Sequence, residues 1–383
     1  MISPEDVDSD NYLTRLSDRD ESDFREKYAK KHGDLSYDAS ETAVKALLRN
    51  KHEPQHEVFE AIADGFHPYN GEGMKTGYEV ALTNPLCEMR ETPADVLLTA
   101  QDYREVHLCF VVCEAGGENY IEWARNINEV SDLYTGHEEE LLEQIPIEGL
   151  DPGHVQFVTA APKEDLPDID FKYMKGSVSP DNYSLWVVDD DYEGNGDRQF
   201  ELRKEYGTVA HRQLRTVLDS GFDYGKGENT EINCTLNSHD FIALRETFMG
   251  LMLKQHAEEK EQPREFNRDD FIDELTRQTQ VADPPEKKVD VIRSRASTLL
   301  VVADDAGMVY SGSNSNINTN RDYRLRYPTG MPTQVPEHIK PKYIEYRTPV
   351  KMAEDAYDQA RAEFEPTDSL KTELDESDSW GTD

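Results

Sequence analysis

Residues 93–130 read PADVLLTAQDYREVHLCFVVCEAGGENYIEWARNINEV. Asp95 opens a short apolar run, Val96-Leu97-Leu98, that predicts a strand. Gln101 to Arg104 predicts a turn and Val106 to Cys113 a longer strand. Apart from His107 that second run is apolar throughout, so both its faces are expected to be covered, mid-sheet. Gly116-Gly117 breaks the chain after Glu114, and Tyr120 to Tyr134 predicts a helix that stops at Gly136. Two carboxylates, Asp95 and Glu114, therefore stand at the ends of neighbouring strands, where they can converge on one divalent ion.

Working outward toward the N-terminus, Tyr78 to Leu82 predicts a strand. The segment HEPQHEVFEAIADGF (52–66) predicts a helix with Pro54 in its first turn, Val58, Phe59 and Ile62 on its apolar face, and Glu57 and Glu60 on its polar face. A further helix follows the cap Ser40, and residues 1–40 are a polar arm with at most a short helix. Toward the C-terminus, HVQFVTAAP (154–162) predicts a strand and 182–207 a β-hairpin. Residues 208–218, 238–256 and 271–280 predict helices, and 231–236 a strand. STLLVVADD (297–305) predicts another strand, and residues 312–320 and 327–342 are rich in turn residues. A last helix is expected over 352–364, then an acidic, disordered tail.

The fold class is α/β or α+β: a mixed sheet flanked by helices with a second α+β region. The expected organisation is an arm (1–40), an α/β domain (41–150), a second α+β domain (151–352) that continues the sheet or packs on it, and a helix with tail (353–383).

The 383 residues carry 41 Lys and Arg against 79 Asp and Glu, a formal charge of −38. Dispersed acids of this kind suit a protein bathed in molar salt, where the Debye length falls to about 3 Å and self-repulsion is screened. The composition resembles that of proteins of salt-loving archaea or their viruses. No N-terminal signal and no long apolar run are present, so no membrane association is expected, and the compartment is the cytoplasm or a virion. Cys87, Cys109, Cys113 and Cys234 are expected as free buried thiols. On one strand Cys109 and Cys113 lie about 13 Å apart, too far for a disulfide.

The 41–135 segment resembles the nuclease fold built on a Pro-Asp, then Asp/Glu-x-Lys, pattern. In that family a helix offers a Glu, a strand begins at an Asp, the next strand ends in Glu-x-Lys, and a helix packs behind. The matching residues are Glu60 (or Glu57), Pro93-Ala94-Asp95 and Glu114. The resemblance implies catalytic roles for Glu60, Asp95 and Glu114, Mg²⁺ held by Asp95 and Glu114, and nucleic acid as substrate. The family's lysine position is Gly116. Arg125 on the next helix offers charge but cannot serve as a base.

Other motifs point less far. Asp189 to Asp197 approaches a calcium loop, but its twelfth position, counted from Asp191, is Leu202, which favours a plain hairpin turn. His52 and His56 are four apart with Pro54 between, unlike a zinc helix. Arg203, Lys204, His211, Arg212 and Arg215 form a basic patch suited to pairing with surrounding acids. No phosphate-binding Gly-rich loop or serine-hydrolase elbow occurs, which disfavours nucleotide hydrolysis and serine-hydrolase chemistry. Three functions stay open: a metal-dependent nuclease or inactive relative, a non-enzymatic interaction or structural protein of a halophile or its virus, and an acidic nucleic-acid mimic.

Overall fold

A computed structural model describes residues 2–67, 71–89, 92–145, 151–191, 199–225, 232–257, 265–280, 284–311, 322–326 and 332–364. The chain is α+β and forms two compact units, Met1–Leu47 with Lys340–Asp383, and Leu48–Ile339.

The larger unit is built on a seven-stranded sheet in sequential order: β1 (Glu79–Thr83), β2 (Val96–Asp102), β3 (Glu105–Cys113), β4 (Asp151–Pro162), β5 (Tyr183–Asp191), β6 (Gln199–Gly207) and β7 (Phe222–Gly225). β3 runs parallel to β4, and β4 to β5; all other pairs are antiparallel. The antiparallel neighbours need only turns. The parallel β3–β4 step needs a crossover, and helices follow β3 before β4 begins.

β3 lies third in the sheet, as its unbroken apolar run requires. Cys109 and Val111 join Val96 and Leu98 under α3 (Glu53–Gly65) and α8 (Arg212–Ser220). Leu108, Phe110 and Val112 face the other way with Leu97, under α5 (Tyr120–Gly136), α6 (Glu138–Gln144) and α7 (Phe171–Ser177). The short helix α4 (Gly71–Thr76) precedes β1. After β7 come α9 (Asp240–Ala257), α10 (Arg268–Thr279) and α11 (Glu286–Asp305). A three-stranded sheet, β8 (Glu265–Asn267), β9 (Val309–Ser311) and β10 (Asp322–Leu325), accompanies them.

The smaller unit contains α1 (Asp18–Asp34), α2 (Tyr37–Leu47) and the greater part of α12 (Val335–Glu363). Ser17 caps α1 by accepting from the Asp20 N–H. Phe24 and Tyr28, one helical turn apart, pack with Tyr12, Leu13, Leu16, Ala353, Ala356, Tyr357 and Ala360.

The sheet runs across position 150, so residues 151–352 continue the sheet of residues 41–150, one of the two arrangements expected. Other expectations change. The expected arm 1–40 carries a 17-residue helix and half of a core. STLLVVADD is the end of helix α11: Ile292, Ala296, Leu299, Leu300 and Ala303 are buried at helical spacing. Residues 232–235, expected as a strand, form no regular element. α12 begins at Val335, so residues 335–342, expected to be turn-rich, are helical, and Pro341 and Pro349 lie inside the helix. The turn at 192–198 and the tail beyond 364 lie outside the described residues. All four thiols are free; three are buried and Cys87 is half-buried.

Candidate functional site

Asp95 immediately precedes β2 and Glu114 immediately follows β3, so antiparallel pairing of these strands brings both acids to the same end of the pair. Both line one cleft of about 790 Å³. Each is 5% exposed.

Asp95 is held from two directions. Its Oδ2 accepts the Cys113 N–H at 2.8 Å, and its Oδ1 accepts the Thr235 hydroxyl at 3.1 Å. Burial raises its pKa to about 6 despite these bonds. Glu114 Oε1 accepts the Asn126 amide at 2.7 Å. Burial also raises Glu114, to about 7, with a further push from the Asp95 charge and a small opposing pull from Lys51. Among the described residues neither acid has a Lys or Arg ion pair within 4 Å, and Glu114 Oε2 accepts no hydrogen bond.

The helix before β1 supplies the next wall. A π-helical turn, Leu48–His52, leads into α3. Such turns often sit at functional sites. His52, Gln55, His56 and Phe59 share one face of this segment at spacings of three and four. The Gln55 amide donates to the Cys113 carbonyl at 2.8 Å, fixing α3 to the end of β3. His52 stacks on His239 with ring centroids 3.7 Å apart. A chamber of about 20 Å³, room for one water, lies against His56, Gln55 and Asp95.

The far wall comes from residues 232–239 and α11. Asn237 donates to the Thr92 carbonyl at 2.8 Å. Arg295 braces the segment by donating to the Ser238 carbonyl at 2.7 Å and pairing with Asp240 at 2.7 Å.

Two of the three expected site acids therefore line the same cleft. Glu60 is not among the residues lining the cleft. It lies five residues past Gln55, some 140° around the helix, and its carboxylate is 3.5 Å from His56 Nε2, which also lies 3.8 Å from Glu246. Arg125 is 71% exposed and pairs with Glu122, so it does not replace the missing lysine. Lys51 lines the cleft instead, its Nζ 3.9 Å from Glu122 Oε2. The helical spacing of Lys51, His52 and Gln55 was the signal that could have found this wall; Thr235, Asn237 and Arg295 gave no such signal.

Among the described residues no trio of His, Cys, Asp and Glu is arranged to hold a metal ion. Two carboxylates alone still suit Mg²⁺, which keeps several waters and takes one or two protein carboxylates plus substrate phosphates. Hard oxygen donors, an unused Glu114 oxygen and room for water fit that ion. Lys204 and Asp219 of the basic patch pair at 2.9 Å, and Arg203 and Glu205 at 3.5 Å. Among the described residues no helix is long and apolar enough to cross a membrane. Comparison with family models, with curated proteins and with solved structures yields no match.

Proposed function

We propose that the chain is a Mg²⁺-dependent phosphodiesterase of nuclease-like build, acting on nucleic acid in concentrated salt. The observation that carries the reading is the convergence of Asp95 and Glu114, buried and held above the usual carboxylate range, on one cleft. The order of elements also supports it: helix α3, strand β1, β2 starting after Asp95, β3 ending before Glu114, and helix α5 packed behind.

A bound Mg²⁺ supplies a Lewis acid for a phosphate oxygen and a more acidic water. The chain's own groups do the rest. The Cys113 N–H and Thr235 hydroxyl orient Asp95. Asn126 fixes one oxygen of Glu114 and leaves the other toward the cleft. Lys51 supplies a mobile cation near Glu114 for a phosphate, where Gly116 offers none. The cleft is lined by Asp95, Glu114, Glu122 and Glu129 against Lys51 and Arg295. It therefore selects a cation before it accepts an anion, and screening by salt lets a polyanion approach a chain of charge −38.

The test is plasmid cleavage in molar KCl with Mg²⁺ or Mn²⁺. Wild type is expected to cleave. Asp95→Asn and Lys51→Met are each expected to lose about 10²-fold or more, with melting temperatures near or above wild type. Cleavage undiminished in Asp95→Asn removes the reading. Gly116 at the lysine position favours one second reading, an inactive relative that grips nucleic acid; Mg²⁺-dependent DNA binding without cleavage identifies it.

A further inference from the structure

At the other end of β3 from Glu114, three imidazoles gather. The ring centroids of His107 and His154 are 5.2 Å apart with planes at 18°, and those of His107 and His211 are 5.1 Å apart. The Tyr78 ring stands edge-on to His211 at 5.2 Å. His107 is 4% exposed.

The cluster sits on a fault in the sheet. Val106 pairs with Pro152 and Leu108 with Val155, so Gly153 and His154 of β4 together face the single residue His107. This is a β-bulge, and a bulge leaves a backbone group without its ladder partner. Here the partner is a side chain: the His154 N–H donates to His107 Nδ1 at 2.9 Å. Gly153 is required beside it, because a Cβ there would overlap the His107 ring. His211 acts in the same way as the N-cap of α8, its Nδ1 accepting the Leu214 N–H at 3.4 Å.

Both Nδ1 atoms thus serve as acceptors, and an acceptor nitrogen carries no proton. Each ring is neutral, with its hydrogen on Nε2. That tautomer has no lone pair left for a metal, in keeping with the absence of any metal-holding trio among the described residues. Protonation of either ring puts a hydrogen on Nδ1 and turns it against the backbone N–H it now receives.

We propose that His107 and His211, with His154 stacked on His107, form an acid-sensitive lock, which keeps the β4 bulge and the first turn of α8 in place and releases both when the His107 and His211 rings are protonated. The surroundings set the balance. Burial lowers the pKa of His107 and of His211 below 6.5, and the neighbouring imidazoles lower them further. Glu105 on β3 and Asp102 at the end of β2 pull His107 the other way, and Asp102 does the same to His211. Because the folded values lie below the unfolded one, the unfolded or opened chain takes up protons first. The lock is complete above about pH 6.5 and is lost as pH falls below it, through the lower values the rings have in the fold.

The test is amide hydrogen exchange on the full chain from pH 8 to 5, corrected for the intrinsic pH dependence. Protection of the His154 and Leu214 amides is expected to fall about tenfold or more across pH 6.5–5, from the loss of a buried acceptor, while Val158 and Thr159 in mid-β4 stay protected. His107→Asn offers an acceptor that does not titrate, so its His154 protection should stay flat with pH. His154→Ala removes one repelling imidazole and brings the folded values closer to 6.5, so release should weaken and move to lower pH. Constant His154 and Leu214 protection in the wild type overturns the proposal. So does loss of all amides together, which is global acid unfolding, or an unchanged release in His154→Ala.

Discussion

Glu114→Gln is expected to raise the melting temperature at pH 8 while abolishing Mg²⁺ or Mn²⁺ binding. Burial places the Glu114 pKa at about 7 in the fold, against 4.5 for the free side chain. As pH rises from 4.5 the unfolded chain gives up its proton before the folded one does. Stability therefore falls between about pH 4.5 and 7 and is flat above, by about 3 kcal/mol in all. Glutamine cannot ionise, keeps an oxygen for the Asn126 amide, and escapes that loss. At ~2–4 °C per kcal/mol for a unit of this size, the gain at pH 8 is roughly 6–12 °C, vanishing near pH 4.5. A divalent cation recovers the same cost in the wild type, so added Mg²⁺ should raise the wild-type melting temperature and leave the variant unmoved. The measurement is a melting curve at pH 5 and 8 with and without Mg²⁺, beside a Mn²⁺ binding titration. A variant no more stable than wild type at pH 8 would mean that the carboxylate is solvated. A variant that still binds Mn²⁺ with wild-type affinity would mean that the cation sits elsewhere. A surface acid predicts neither effect, and a core group kept only for packing predicts no loss of binding.

The central stretch was legible because its signals are local. An apolar run of strand length, a Gly-Gly break and a helix with its own glycine stop leave few alternatives, and the acids at the strand ends come with them. What failed depends on distant partners. STLLVVADD has the length and β-branched content of a strand. Only the longer window back to Glu286, with Ile292 and Ala296 in phase with Leu299 and Ala303, marks it as helix. Phe24 and Tyr28 carry the same one-turn signal, but their partners are Ala353, Ala356 and Tyr357 more than 300 residues away. Glu60 was assigned by its place on a polar helix face, and the register of that helix turns it toward His56. The groups that close the site on Asp95, Thr235 and Asn237, arrive 140 residues later from a segment that forms no regular element, so no periodicity announces them.

The position of Thr235 depends on a single missing methyl. Gly250 in α9 faces Glu274 of α10, and a Cβ at residue 250 would overlap Glu274 Oε1 and Gln278 Nε2. The far end of a flexible side chain would ordinarily move aside. Here Glu274 is 2% exposed, accepts the Gln278 amide at 2.7 Å and pairs with Arg277. Gln278 in turn accepts the Asn233 side-chain amide, and its carbonyl accepts the N–H groups of Asn233 and Cys234 at 2.9 and 3.2 Å. Thr235 is the next residue, and its hydroxyl reaches Asp95. Gly250→Ala is therefore expected to destabilise the fold by about 3 kcal/mol or more, through overpacking and a disturbed buried carboxylate. That is a fall of roughly 6–12 °C at ~2–4 °C per kcal/mol. It should also weaken Mn²⁺ binding, although residue 250 touches no part of the cleft. The double variant Gly250→Ala/Glu274→Ala removes the obstacle, so the two changes should couple favourably and the double should melt no lower than Glu274→Ala alone. Additive losses would deny that Glu274 transmits the strain. A Gly250→Ala protein that melts as wild type would show a slot with room to spare, and Asp95 would then owe its orientation to the Cys113 N–H without help from the helices beyond β7.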